Sequence, residues 1–441
     1  MFGTVLVANR GEIACRVIRT LRRLGIRSVA VYSEADEGAK HVREADAAEP
    51  IGEPPAPLSY MNPAAIVEAG LRSGSAAVHP GYGFLSESAK FAEAVMGAGL
   101  AWIGPPPDVL RLCGDKVACR AAFEETGFPV LPAAGPFTDV DEAVGAGEKL
   151  GFPLMVKAVM GGGGLGMGVA RDRPGMEATV QTASGRGARF FADPAVYVER
   201  LVEPARHVEV QVLFGQDGTG IHLYERECSV QRRHQKVIEE TPSPALDRGT
   251  RQKLCRAALR SMAAIGYRGA GTVECVLTPD REFFFLEVNA RLQVEHPITE
   301  VTTGVDLVEE QLRAAAGEGL SLDHTPPRNG HAIEFRIYAE DPRTFLPSPG
   351  RIDKLALALE GGSDQWRLDL GYDEGDDVPM FYDPLIGKVI VRGGDRTNAL
   401  GVGVLEALRI EGVKTNIPAL ISAARDERFR SGHYDTSLLG K

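Results

Sequence analysis

The chain has few cysteines and fewer tryptophans, six and two in 441 residues. Cys15, Cys113, Cys119, Cys228, Cys255 and Cys275 form no C-x-x-C pair, so neither a zinc ribbon nor a redox dithiol is present. Scattered thiols in a chain this long read as buried and reduced, in a cytoplasmic protein. No apolar run approaches the ~18 residues of a membrane span. The run from Thr4 to Ala8 is too short for a signal-peptide core and no basic region precedes it. Positive charge is also in deficit. The formal net charge of −11 argues against nonspecific nucleic-acid binding but leaves room for a local basic site facing an anion. Internal repeats and low-complexity segments are missing, as is a dinucleotide fingerprint after the first strand, where "ANRGE" has one glycine.

What is present is enough for two to four domains, with 44% hydrophobic and 25% charged residues to build a core and a surface. "TVLVA", "SVAVYS", "AAVHP" and "LAWIGP" read as strands alternating with helices. The first helix follows "NRGEI", with Ile13, Val17, Ile18, Leu21 and Leu24 on one face. This alternation predicts an open parallel α/β domain over residues 1–113. A helix, "DKVACRAAFEETG", opens a second region, 114–320, where antiparallel strands dominate. "TVECVL" and "EFFFLEVN", separated by "TPDR", form a hairpin. "DHTPPRNG" is a linker into a mixed α+β region, 321–441, with a helix around 398–410. The expected fold class is therefore α/β and α+β multidomain.

Three stretches carry chemistry. In "EFFFLEVNARLQVEHP", Glu287, Asn289, Arg291, Gln293 and Glu295 recur at every second position, so an extended chain places them on one face. Solvation explains such a period but not this choice of residues. Glu274 lies in the partner strand of the hairpin. Two carboxylates and an amide converging there suit a hard cation such as Mg²⁺ shared with substrate phosphates; a pair of solvent-facing glutamates is the alternative. The glycine run 161–164, with Gly166 and Gly168, follows a strand containing Lys157. "VARDRPG" after it reads as strand then turn, which favours a mobile hairpin folding over phosphates rather than a helix N-terminus. "RHVEVQV" puts His207, Glu209 and Gln211 on one face. "VQRRHQKVIEE" concentrates Gln231, Arg232, Arg233, His234 and Lys236, as an anion site would in an acidic chain. "HPGYGFLSE" places Tyr82 at a strand end, where open α/β sheets bind ligands.

Taken in order, "VANRGEIACRVIRTLRRLGI", "HPGYGFLSE", "GDKVACR", "VKAVMGGGGLGM", "RHVEVQVL", "RECSVQRRHQKVIEE", "FLEVNARLQVEHPITE", "GHAIEFRIYAED" and "FLPSPGRI" resemble the biotin carboxylase family of the ATP-grasp superfamily. The resemblance implies an N-terminal domain, a central ATP-grasp domain with a lid at about 132–201, and a C-terminal domain. It implies a ligase that turns ATP and bicarbonate into carboxyphosphate and passes CO₂ to N1 of biotin. Glu274, Glu287 and Asn289 then match ligands of Mg²⁺ (or Mn²⁺). Arg291, Gln293, the backbone of Val294 and Lys236 match the bicarbonate site, and Glu295 matches its base. Lys116, Lys157, Gly163, Gly164, Met167, His207, Gln231, His234 and the adenine edge Glu199, Arg200, Leu201 and Val202 match ATP contacts, along with Glu274 and Glu287. Tyr82 and Arg336 match the biotin side, where a guanidinium stabilises the enolate.

Departures accompany the match. The lid has Leu165 and Gly168 where the family often carries basic residues, which removes positive charge over the triphosphate. An aliphatic lid resembles urea carboxylases, whereas "HPGYG" and "QRRHQK" resemble the acyl-CoA carboxylase type of fatty acid biosynthesis. A non-catalytic ATP-binding subunit is a further alternative. No Met-Lys-Met occurs, so the biotinyl lysine is expected on a separate biotin carboxyl carrier protein. A carboxyltransferase subunit and a homodimer are the other partners the resemblance implies, with no nucleic acid and no membrane.

Overall fold

A computed structural model of the chain describes residues 1–160, 166–191, 193–232, 235–359 and 365–440. Its first sheet has five parallel strands in the spatial order Ala47–Gly52, Arg27–Ser33, Thr4–Val7, Ala77–His79, Ala101–Trp102. Four of these are the strands expected from sequence. Ala47–Gly52 was not, because "AAEPIG" has neither a β-branched run nor clean alternation. Helix Gly11–Arg23 packs Ile13, Val17, Ile18 and Leu21 into the core, each at most 2% exposed. Gly11 opens it at φ +63°, a left-handed conformation that favours glycine.

The second sheet positions the chemistry. Its eight antiparallel strands run Phe283–Asn289, Gly269–Leu277, Arg206–Phe214, Gly220–Arg232, Gln235–Thr241, His331–Tyr338, Leu385–Gly393, Trp366–Leu370. The hairpin pairs Glu274 directly with Glu287 and Thr272 with Asn289. The sheet continues past residue 320 without a break, since Glu239 pairs with Glu334 and Arg336 with Lys388. A third sheet, Ala133–Phe137, Val196–Arg200, Leu154–Ala158, Met167–Ala170, carries helices Val140–Leu150 and Arg173–Phe191 on a small core of its own.

Three expectations are corrected. The strand of the alternating motif stops at Asn289; residues 290–295 turn, and helix His296–Thr303 follows. The ladder ends because the N–H of Ala290 donates to the Glu87 carboxylate at 3.0 Å, and Pro297 then sits in the helix's first turn. "VARDRPG" is strand then helix rather than strand then turn. Arg173–Phe191 was hidden by Gly175, Gly185 and Gly187, which dilute the helical pattern. The helix expected around 398–410 is confined to Val402–Ala407, and Leu408–Glu411 is a strand paired with Lys354–Leu357.

Candidate active site

A cavity of about 1180 Å³ opens between the four-stranded and eight-stranded sheets. Met155, Lys157, Met167, Tyr197 and Glu199 line it from the smaller sheet, with Arg200, Leu201 and Val202 along one edge. Lys116, His207, Gln231, Lys236, Glu274, Glu287, Asn289, Arg291, Gln293, Val294 and Arg336 line it from the rest of the molecule. Almost every residue that the sequence nominated therefore converges on one space. Glu295 lies beneath it, fully buried. Tyr82 is outside this lining, and Gly163, Gly164, Leu165 and His234 lie outside the described residues.

The floor of the cavity is a charge lattice. The Lys236 ammonium donates to Glu209 at 2.6 Å, Glu274 at 2.6 Å and Glu295 at 2.8 Å. Arg336 reaches the other oxygen of Glu295 at 2.8 Å, and the same nitrogen lies 2.6 Å from Glu239. Arg226, fully buried, ties Glu209 to Gln211, Thr272 and Thr299. Strand alternation does this work. His207, Glu209 and Gln211 share one face of their strand, as their spacing predicts. An extra residue at Val237, where the register shifts, turns Lys236 to the side that Glu239 and Arg336 share.

Burial and pairing compete at each group. Burial alone would raise the Glu295 carboxyl, but Lys236, Arg336 and Arg226 outweigh it and hold the group well below the usual carboxylate range. Glu274 is held down in the same way, against burial, by Lys236 and His207. Lys236 stays charged because three carboxylates overcome its desolvation. Glu209 and Glu239 go the other way. At Glu209 burial outweighs Arg226 and Lys236 and raises the carboxyl, and at Glu239 burial exceeds the pull of Arg336 and pushes it up to about 7.

The turn after Asn289 forms a second, smaller array. Arg291 donates to Asn289 Oδ1 at 2.9 Å, to Gln293 Oε1 at 2.9 Å and to Glu87 at 3.0 Å. Asn289 and Gln293 both donate to Glu274 Oε1, at 2.8 and 3.0 Å. Arg291, Gln293 and Glu295 thus meet around Glu274 through the bend, not through the single straight strand expected from their period. On the opposite wall Lys157 is buried with Glu199 at 2.6 Å. On the near side Lys116, at the start of helix Lys116–Glu125, is lowered by burial despite nearby Glu287.

Glu274 and Asn289 are joined, and Glu287 stands directly across the hairpin from Glu274. Glu287 accepts no hydrogen bond from a described residue; burial first, and then the Glu274 charge, raise its carboxyl. A divalent cation between them would relieve both costs, so these residues fit a Mg²⁺ site. The carboxylate, histidine and cysteine atoms that cluster among the described residues are two other triads, His207–Glu209–Glu274 and Glu209–Cys228–Glu295. Lys236 already ties both together.

Sequence reasoning passed over Arg226, Glu239, Glu87 and Lys388. Each is a single charged residue whose importance lies in being buried or bridged, and no spacing announces that. All six cysteines are free and buried, as expected. Among the described residues no helix is long and apolar enough to cross a membrane.

Comparison with known proteins accords with this geometry. Residues 1–110 match the biotin carboxylase N-terminal domain and 334–441 the biotin carboxylase C-terminal domain. Residues 115–323 match the ATP-binding domain of the carbamoyl-phosphate synthase L chain. Biotin carboxylase 2 of Bacillus subtilis is 46% identical over 443 residues, covering 100% of this chain and 99% of that one. The methylcrotonoyl-CoA carboxylase subunit alpha of rice is also 46% identical, over 99% of this chain and 60% of its own. The biotin carboxylase domain dimer of Hydrogenobacter thermophilus 2-oxoglutarate carboxylase, solved with MgADP, ADP and bicarbonate, superposes with a TM-score of 0.96 at 40% identity, covering 100% of this chain and 97% of that one. The Campylobacter jejuni biotin carboxylase nucleotide complex gives 0.96 at 38%, covering 100% and 98%. With its cavity floor, its three-part fold and these full-length matches, the chain belongs to the biotin carboxylase family.

Proposed function

We propose that this chain carboxylates N1 of biotin on a separate carrier protein, using ATP and bicarbonate through carboxyphosphate. The observation that carries the reading is Glu295. It is a fully buried carboxylate clamped between Lys236 and Arg336 beneath a cavity whose other wall holds Lys157, with Lys116 at the same cavity's rim. That is the arrangement a proton acceptor needs between a nucleophile and a triphosphate.

In this reading bicarbonate sits against Arg291, Gln293, the Val294 backbone and Lys236. As it takes hydrogen bonds from Lys236, the pairing that depresses Glu295 weakens, and the carboxylate becomes basic enough to accept the bicarbonate proton. Lys116, Lys157, His207 and Gln231 contact ATP, as do His234, Gly163, Gly164 and Met167, with Glu199 to Val202 along the adenine. Glu274, Glu287 and Asn289 would hold Mg²⁺ or Mn²⁺, which neutralises phosphate charge when bound. Arg336, charged at any working pH, stabilises the biotin enolate. Tyr82 lines the biotin side.

The division into 1–113, 114–320 with a lid at 132–201, and 321–441 belongs to the same reading. So do a cytoplasmic location, a homodimer and a carboxyltransferase partner. The methylcrotonoyl-CoA and propionyl-CoA carboxylase alpha chains among the relatives favour an acyl-CoA carboxylase, such as serves fatty acid biosynthesis, over a urea carboxylase. Phosphate release from Mg·ATP with bicarbonate should rise strongly on adding free biotin or a biotinylated carrier. An equal response to an amine in place of biotin would make the chain a different ATP-grasp ligase.

A further inference from the structure

Lys388 lies on strand Leu385–Gly393 and is 0% exposed, so its ammonium has no water to solvate it. An ammonium that deep persists only where fixed partners replace its hydration. Two partners do so. Lys388 Nζ donates to the carbonyl of Val294 at 2.8 Å and lies 3.1 Å from Glu12 Oε2, a charge contact without hydrogen-bond alignment. The other Glu12 oxygen accepts from the Tyr82 hydroxyl.

The place of that carbonyl gives the contact its meaning. It belongs to the peptide joining Val294 to Glu295, in a turn that has left the sheet ladder and is not yet helix. Holding it fixes the plane of the peptide between Val294 and Glu295, and with it the backbone from which the Glu295 side chain springs. Lys388 is also the direct cross-strand neighbour of Arg336, so the two point to the same face. One strand pair thus holds this turn twice, Arg336 at the Glu295 carboxylate and Lys388 at the Val294 carbonyl just before it. Glu12 then carries the same strut across to Tyr82, in the bend that follows strand Ala77–His79 of the N-terminal sheet.

We infer that Lys388 is a positioning residue that sets the bicarbonate cradle and its base in register and, through Glu12, ties them to the biotin side. The inference rests on the proposed bicarbonate site at residues 291–295. A merely structural Lys388 would matter for folding and for all substrates alike; a positioning Lys388 would act on bicarbonate first.

The test separates these roles by removing the buried charges together. Lys388→Met alone strands Glu12, so the double variant Lys388→Met with Glu12→Gln is the decisive one, because deleting both members of a buried pair restores neutrality. The double variant should unfold near the wild-type temperature and keep its affinity for ATP within about twofold. Its KM for bicarbonate should rise about tenfold or more, and its kcat for bicarbonate-dependent ATP cleavage should fall on the order of 10²-fold, as misplacement of a reacting group does. If that double variant fails to fold, Lys388→Gln with Glu12→Gln, which keeps a donor but shortens the reach, should show the same selective rise. An unchanged KM for bicarbonate in a folded variant, or equal losses toward ATP and bicarbonate, overturns the inference. ATP cleavage by the wild type that ignores bicarbonate altogether overturns the underlying reading instead, and this inference with it.

Discussion

The two sheets that face each other across the cavity handle charge in opposite ways. On the four-stranded side, ion pairs such as Arg171–Glu203 and Arg173–Glu148 stand in solvent, where each contributes little. Lys157 with Glu199 is the buried exception there. Its apolar core, from Ala143 and Val144 to Val196 and Val198, shares no residue with the other clusters. On the eight-stranded side Glu209, Glu239 and Glu274 interlock with Lys236, Arg226 and Arg336 inside one continuous sheet, and Glu295 joins them from the turn beside it. A unit with its own small core can shift without disturbing its neighbours, whereas a lattice of shared buried charges cannot. In the proposed function, closure over the nucleotide falls to the first side and proton and charge handling to the second.

Breaking the floor should therefore cost far more than altering the opposite wall. Glu295→Gln keeps the volume but removes the proton acceptor and the counter-charge of Lys236 and Arg336. Bicarbonate-dependent phosphate release should fall by about 10²–10⁴-fold while ATP binding, measured by calorimetry, persists. Arg336→Met leaves Glu295 and Glu239 short of a partner, so stability should drop by about 3–5 kcal/mol in denaturant titration. In whatever fraction stays folded, carboxyl transfer to biotin should suffer more than ATP binding. Equal losses would contradict the role of Arg336 beside the enolate.

The opposite wall gives milder outcomes. A side chain added at Gly168 would collide with Thr179 of helix Arg173–Phe191, so the missing basic residue at this position is matched by filled space. Gly168→Ala should cost about 1–3 kcal/mol, confined to the small core of the four-stranded unit. The expected result is a higher KM for ATP with bicarbonate dependence intact; a lost bicarbonate response would show that the two sides are not separable.

The smallest effect concerns pH. Glu239 is raised to about 7 by burial, against the pull of Arg336, from an unfolded value near ~4.3. A raised carboxyl contributes stability that is full below the unfolded value and is lost as pH climbs through the folded one. Glu239→Gln should therefore flatten the fall in melting temperature between about pH 4.3 and 7. A variant with the wild-type slope would place that titration elsewhere.

Much of this was legible in the chain itself. Period-two alternation in "RHVEVQV" and in the hairpin placed His207, Glu209, Glu274, Glu287 and Asn289 correctly, because sheet geometry enforces that period wherever pairing continues. The same rule failed after Asn289, where Glu87, two hundred residues away in sequence, captures the next N–H and bends the chain. No local pattern encodes that partner. Lys388 and Arg226 were invisible for a related reason. A charged residue in a strand reads as solvent-facing until the fold shows both sides covered. Helix Arg173–Phe191 was lost to its glycines, which weaken propensity while packing against the small sheet decides the outcome.

The central claim is that the charge lattice around Glu295 performs the chemistry. The measurement that tests it most directly is phosphate release from Mg·ATP, with and without bicarbonate and biotin, in the wild type and in Glu295→Gln. The account predicts turnover that needs bicarbonate, rises with biotin and vanishes in the variant while nucleotide binding remains. Biotin-stimulated turnover that survives Glu295→Gln would contradict it.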